Sequence, residues 1–138
     1  MQTLQYLKRI AGNIRLDALN MQHIARKGNL GGAFSVTEIL VCLYYSDVVN
    51  ISPKRVKDPK RDRIIFSKGH ACLSLFATLA HKGFFPKSEL ERFGQNGTML
   101  GGHPDHLIPG VEVSSGSLGH GLGIGLGLAL AAKLDKKR

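Results

Sequence analysis

The sequence is poor in the features that mark secreted and membrane proteins. It has no tryptophan and only two cysteines, Cys42 and Cys72, and no Cys-x-x-Cys motif occurs. Two cysteines are too few for a disulfide framework, so both are expected to be buried free thiols in a reducing compartment. The N-terminus has a helical pattern and no signal sequence, and the longest apolar run, 121–132, is shorter than the ~20 residues that span a bilayer. These absences predict a cytoplasmic protein that does not enter the membrane.

Acidic residues are also scarce, with 10 against 19 lysines and arginines, and the formal net charge is +9. The basic residues concentrate at 54–63 and 133–138, and no aromatic residue is interleaved with either group. A platform for base stacking is therefore missing, which argues against nucleic-acid binding. A solvated surface, or attraction of phosphorylated substrates, explains the charge better.

Glycine, by contrast, is abundant, with 17 residues, and several of them crowd the stretch 116–127. A glycine inside a helix costs roughly 1 kcal/mol relative to alanine. Repeated glycines therefore indicate that the backbone approaches a phosphate, a cofactor ring or another helix closely. We predict a tight loop from Ser114 that leads into a helix, with small residues on its first turns at Gly119, Gly123 and Gly127.

Apolar periodicity and capping signals predict five helices. The first is about 25 residues long, because apolar residues recur at spacings of three and four from Leu4 to Ala25. The second begins at a capping box formed by Ser35 and Glu38, after the glycines at 28, 31 and 32 have ended the first. The others are Ala71–Lys82, which Gly83 stops, Pro86–Arg92, and the glycine-rich helix near the end of the sequence.

Arg63–Phe66 is predicted to be a short strand, and Val111–Val113 is predicted to be either a second strand or an extended approach to the following loop. Alternating strands and helices predict an α/β fold, with a parallel sheet flanked by helices. A length of 138 residues and a hydrophobic content of 43% suit one globular domain. Two strands are fewer than a parallel sheet usually contains, so the fold is expected to be incomplete.

Three glycine-containing loops, 27–32, 67–70 and 114–120, each precede a helix N-terminus, where free backbone N–H groups bind anions. Histidine follows glycine at His70, His103 and His120. Structural zinc is an alternative use of these histidines, but their long spacing and the lack of an accompanying cysteine argue against it. The sequence has no P-loop pattern, and the glycine pairs at 119–125 lack the strand and the acidic residue of a dinucleotide fingerprint.

Several motifs together resemble the N-terminal, thiamine-diphosphate-binding domain of transketolases. They are Ser67–Ala71 (Ser-Lys-Gly-His-Ala), Gly102–Asp105 (Gly-His-Pro-Asp) and Pro109–Gly119, with the helix after it. Their order and spacing agree with the family across nearly the whole sequence. The resemblance is greatest to the two-gene bacterial and archaeal form, in which this domain is a separate subunit.

The resemblance implies roles for the matched residues. His70 corresponds to a histidine near the diphosphate and the reacting carbon, and His103 to one that contacts the donor sugar, so both are candidate catalytic residues. Gly116, Ser117 and Leu118 correspond to the loop that meets the cofactor through its backbone. A helix N-terminus flanked by glycine suits an anion, and histidines that titrate near neutral pH suit proton transfer at a carbonyl.

Two matched positions depart from the family pattern. Asn29 stands where the first glycine loop usually has histidine, and His120 stands where the second usually has glutamine. Asparagine forms hydrogen bonds but does not titrate, so a proton-transfer role at Asn29 is in doubt. Both residues are expected to contact the cofactor.

The resemblance implies thiamine diphosphate and a Mg²⁺ or Ca²⁺ ion as cofactors. The family's Gly-Asp-Gly metal motif does not occur in the sequence, so we expect no metal ligand within it. Residues 1–138 are thus expected to be a partial thiamine-diphosphate-binding domain, and inactive alone. With the C-terminal subunit or remaining domains, in a homo- or hetero-oligomer, it would move a two-carbon ketol unit between sugar phosphates.

Two other functions are open. The chain could be a noncatalytic binding or assembly module derived from this domain. It could also belong to a related thiamine enzyme such as deoxyxylulose-phosphate synthase, although the motif at Gly102–Asp105 favours transketolase.

Overall fold

A computed structural model describes residues 2–137, and these residues form four α-helices and three short 3₁₀ segments. The α-helices are α1 (Leu4–Ala25), α2 (Leu30–Tyr45), α3 (Cys72–Lys82) and α4 (His120–Leu134). The 3₁₀ segments are Pro53–Arg55, Gly69–Ala71 and Lys87–Arg92. Helices α1, α2 and α3 pack on one another around a single apolar core, and Lys87–Arg92 covers α1 and α3.

The predicted first helix is confirmed as α1. Its apolar stripe is buried at Ile10, Ala11, Ile14, Ala18 and Met21, which lie at the spacings of one helical face. The Thr3 hydroxyl accepts a hydrogen bond from the Tyr6 backbone N–H at 3.2 Å, which satisfies one of the free donors of the first turn.

The predicted start of the second helix is wrong, because α2 begins before the capping box. Asn29 is the N-cap residue, and its side-chain oxygen accepts a hydrogen bond from the Gly32 N–H at 2.7 Å. Ser35 and Glu38 lie inside the helix, where Glu38 pairs with Arg15 of α1 at 2.5 Å. The Asn29 cap and packing against α1 and α3 outweigh the low helix propensity of two early glycines.

The centre of the core is α3, in which every residue from Cys72 to Ala80 is buried. Its polar members are hydrogen-bonded, since the hydroxyls of Ser74 and of Thr37 on α2 lie 2.9 Å apart and both reach the Ala33 carbonyl. Gly83 ends α3 with a φ of 88°, as the sequence predicts for a C-terminal stop.

The predicted parallel sheet is not found among residues 2–137. Neither Arg63–Phe66 nor Val111–Val113 is a strand, and the second segment includes a bend at Val113. An extended segment becomes a strand only when a neighbour pairs with its backbone N–H and C=O groups, and the described chain provides no such ladder for either segment. Pro86–Arg92, predicted to be a helix, contains a 3₁₀ segment instead.

Helix α4 projects from the core. Gly121 is its one buried residue, and large apolar side chains of this helix are exposed, including Leu122, Leu126 and Leu134. Its N-terminal half packs on segment 63–67, where Gly121 adjoins Ser67 and Gly125 faces Ile65. The two cysteines also differ, since Cys72 is buried but Cys42, contrary to prediction, is exposed.

No helix in the described part of the chain is long and apolar enough to cross a membrane.

The core predicts a sharp contrast between two substitutions. Phe76 is fully buried and packs at 6.2 Å, centroid to centroid, against Phe93. Phe76→Ala is expected to lower the free energy of unfolding by about 3–5 kcal/mol, because it removes buried contacts and leaves a cavity. The matched control, Leu4→Ala on an exposed side chain, is expected to stay within about 0.5 kcal/mol of the native chain in urea unfolding. Equal effects would show that Phe76 is not in the core.

Candidate functional site

The loops that the sequence marks out meet at one place. Gly69 lies so close to the backbone of the second loop that a Cβ added to it would be 2.6 Å from the Ser115 carbonyl oxygen and 3.0 Å from Gly116 Cα. Real Cβ atoms do not approach backbone so closely, so glycine is required at position 69. The turn containing His70 and the loop containing Gly116 are therefore in direct backbone contact.

The loop that carries His103 joins them. The Ser115 N–H donates to the Pro104 carbonyl at 3.1 Å, and a Cβ on Gly116 would lie 3.6 Å from His103 Cδ2. From the other side, the Cys72 thiol donates to the Gly102 carbonyl at 3.1 Å. Burial raises the pKa of Cys72 to about 12, so the sulfur remains a protonated donor at neutral pH.

The N-terminus of α2 forms the opposite side of the site. A Cβ added to Gly32 would lie 2.9 Å from Asn29 Oδ1 and 3.3 Å from His70 Cδ2, so the two side chains flank this glycine. Asn29 is thus held as a helix cap, with its amide oxygen already engaged by the Gly32 N–H. Its NH₂ group is the part that can donate to a ligand.

Lys68 is a site residue to which the sequence motifs assigned no role. Its ammonium donates to the Gly32 carbonyl at 3.1 Å and to the Ser35 hydroxyl at 2.8 Å, which ties the 67–70 turn to the first turns of α2. Three donors are available on an ammonium, so this arrangement places a positive charge and a further N–H beside His70. Lys68 lies within the Ser67–Ala71 motif, which could have pointed to it. It was not singled out because a lysine in a loop is usually a solvated surface charge.

The rest of the glycine-rich loop is exposed and opens onto α4. Gly119 has a φ of 88° and is the N-cap of α4, and the Ser67 hydroxyl accepts a hydrogen bond from the Gly121 N–H at 3.1 Å. Ser117 and Leu118 follow Gly116 on the exposed side of the contact with Gly69, and His120 opens the helix. The structure therefore brings Asn29, His70, His103 and Gly116 into one neighbourhood, in which Asn29 and His70 flank Gly32, Gly69 meets Gly116, and His103 lies beside Gly116. Ser117, Leu118 and His120 adjoin this group through the chain.

The arrangement is suited to an anionic, ring-containing ligand. It offers two imidazoles, one ammonium and a loop of small residues that leaves the main chain accessible. Among residues 2–137, no group of three or more His, Cys, Asp or Glu side chains is arranged to hold a metal ion.

Comparison with known proteins identifies the family. The family model described as "Transketolase, thiamine diphosphate binding domain" matches residues 7–137, and the chain belongs to this family.

Relatives with stated activities are similar over most of this chain. An apulose-4-phosphate transketolase subunit from Phocaeicola vulgatus is 44% identical over 112 residues, which are 81% of this chain and 40% of that protein. A 6-deoxy-6-sulfo-D-fructose transketolase subunit from a Clostridium species is 40% identical over 109 residues, or 78% of this chain and 39% of that protein. This chain thus spans about 40% of the length of these relatives.

Solved transketolases share the fold of this chain. The crystal structure of transketolase from Campylobacter jejuni aligns with this chain at a TM-score of 0.87 and 32% identity. The alignment covers 96% of this chain and 21% of the Campylobacter jejuni chain. The fold is thus that of the corresponding part of a transketolase.

The contact between Gly69 and Ser115 predicts opposite effects of two glycine substitutions. Gly69→Ala is expected to lower the free energy of unfolding by about 1–3 kcal/mol, because its methyl group would overlap backbone that has no flexible end to move. Gly123→Ala in α4 meets nothing within 4 Å and should raise stability by about 0.5–1 kcal/mol through helix propensity. Chemical denaturation of both variants measures the difference, and a neutral Gly69→Ala would contradict the close approach.

Proposed function

We propose that residues 1–138 form the diphosphate-binding part of a thiamine-diphosphate domain in a transketolase-type enzyme. The observation that carries the proposal is the convergence of Asn29, His70, His103 and Gly116 around two helix-leading loops, in a chain of this family. In the assembled enzyme the reaction would transfer a two-carbon ketol unit between sugar phosphates.

The residues present fit thiamine diphosphate. Gly116 leaves room at the surface beside His103, and Gly32 brings the side chains of Asn29 and His70 against the first turn of α2. The backbone of Gly116, Ser117 and Leu118 would lie against the cofactor, with Asn29, His70 and His120 as polar contacts. When bound, the cofactor supplies a carbanion-stabilising ylid.

The side chains of this site would orient the reactants and move protons. In this proposal His70 would donate to a diphosphate oxygen or hold a proton near the reacting carbon. His103, which lies beside Gly116, would hydrogen-bond the hydroxyl or carbonyl end of the donor sugar. The Lys68 ammonium adds positive charge at the diphosphate side, in a chain whose net charge of +9 already attracts phosphorylated ligands.

We propose that the rest of the assembly supplies what this site lacks. A Mg²⁺ or Ca²⁺ ion would neutralise the diphosphate through ligands outside this sequence, and a C-terminal transketolase subunit would complete the cofactor site. Segments 63–66 and 111–113 form no ladder within the described chain, which leaves them able to join a parallel sheet in the whole domain. We place this assembly in the cytoplasm.

A noncatalytic assembly module is the second candidate. The exposed apolar residues of α4 favour it, because a large apolar surface usually contacts another protein. Both functions need a partner, but only the enzyme needs the cofactor.

Cofactor binding therefore distinguishes the two functions. The chain is combined with a candidate C-terminal transketolase subunit, and thiamine-diphosphate binding is measured by calorimetry with and without Mg²⁺. Metal-dependent binding together with ketol transfer supports the enzyme. A stable complex that neither binds the cofactor nor transfers ketol units would support the module.

His103→Ala is expected to impair use of the donor ketose more than binding of the cofactor. Loss of a hydrogen bond to a polarised group costs about 1.5–3 kcal/mol, so kcat/KM for the donor should fall roughly 10- to 150-fold in the assembled enzyme. His23→Ala, on the exposed surface of α1, is the control. Unchanged donor kinetics with weakened cofactor binding would reverse the assignment.

A further inference from the structure

We propose that the buried ion pair of Arg61 and Glu112 positions the two backbone segments that form the cofactor site. The inference rests on the proposed function, since it concerns how that site is held. Arg61 lies just before the segment 63–66 that leads to Ser67 and His70, and Glu112 lies just before Ser115 and Gly116. The pair is therefore a clamp at the base of both loops.

The contacts of Arg61 make this clamp specific. Two guanidinium nitrogens bond the two carboxylate oxygens of Glu112 in a bidentate pair, and the Nη2 to Oε2 distance is 3.0 Å. Arg61 also donates to the Val56 carbonyl at 2.9 Å and to the Asp62 carbonyl at 3.1 Å. The planar fork of arginine thus fixes three chain segments at once, which the single charge of lysine does not reproduce.

Low exposure makes the pair intolerant of the loss of either partner. The side chains are 11% and 10% exposed, whereas those of the Arg15–Glu38 pair between α1 and α2 are 33% and 60% exposed. Removing one partner of a buried pair leaves the other charge uncompensated, but the same change at an exposed pair has little effect. Tyr44 packs close by, and burial together with the negative charge of Glu112 raises the pKa of its hydroxyl.

The position of the pair explains why side chains, and not backbone hydrogen bonds, hold the two segments together. In the described chain no backbone ladder joins segment 63–66 to segment 111–113. The segments are held at one end by Arg61 with Glu112 and at the other by the contact of Gly69 with Ser115. Loosening the ion pair frees one end of both segments, so the approach of Gly69 to Ser115, and with it the spacing between His70 and Gly116, is less firmly set.

The test compares the buried pair with the exposed one in the assembled enzyme. Glu112→Gln keeps the shape of the side chain but removes the charge, and Arg61→Lys keeps the charge but removes the fork. Their matched controls are Glu38→Gln and Arg15→Lys. A core variant, Ile14→Val, shows what a general loss of stability does. Amide hydrogen exchange at 114–118, the dissociation constant of thiamine diphosphate with Mg²⁺, and melting temperature are measured for each.

We expect both substitutions of the buried pair to speed exchange at 114–118 by about tenfold or more, because a local opening becomes easier. The dissociation constant should rise about tenfold, while the controls stay within about twofold. Should Glu112→Gln fail to fold, Arg61→Lys provides the same comparison. Exchange at 114–118 that is unchanged, or that rises only as in Ile14→Val, would overturn the inference. If the native enzyme does not bind thiamine diphosphate, the proposed function fails, and the exchange data still decide whether the pair positions the loops.

Discussion

The whole site depends on one steric constraint, the approach of the Gly69 backbone to the Ser115 carbonyl. Because position 69 has no side chain, the turn with His70 can touch the loop with Gly116, and His103 lies beside Gly116. The rest of the fold supports this contact. Helix α3 starts directly after the turn and is the most buried element, so the turn is anchored in the core and not on a mobile surface.

The core also explains how the N-terminus of α2 is placed. The Thr37 and Ser74 hydroxyls meet at the Ala33 carbonyl, which fixes α2 against α3 just beyond the turn occupied by Asn29. Buried hydroxyls are satisfied in few geometries, so this small network sets the relative position of the two helices more strictly than apolar contacts do. Asn29 and His70 are consequently held by different elements but at one fixed separation.

The sequence predicted the local features well and the long-range ones poorly. The stripe of α1 and the stop at Gly83 depend on neighbouring residues alone, and both are confirmed. The motif residues do meet, although their assigned roles remain predictions. The predicted sheet is not formed by the described chain. A strand needs a neighbouring strand that pairs with its backbone, and the composition of a segment does not show whether one is present. Lys68 and the Arg61–Glu112 pair were missed, since charged residues far apart in sequence carry no sign of their partners.

The exposed surface of α4 has a consequence for the concentration at which the chain stays soluble. Leu122 and Leu134 are 82% and 84% exposed, and the helix that carries them has little to pack against in the described chain. Free chains would therefore associate nonspecifically as their concentration rises, and chaperones and proteases would act on the excess. Solubility would then depend on whether this helix is covered and not on the stability of the three-helix core alone.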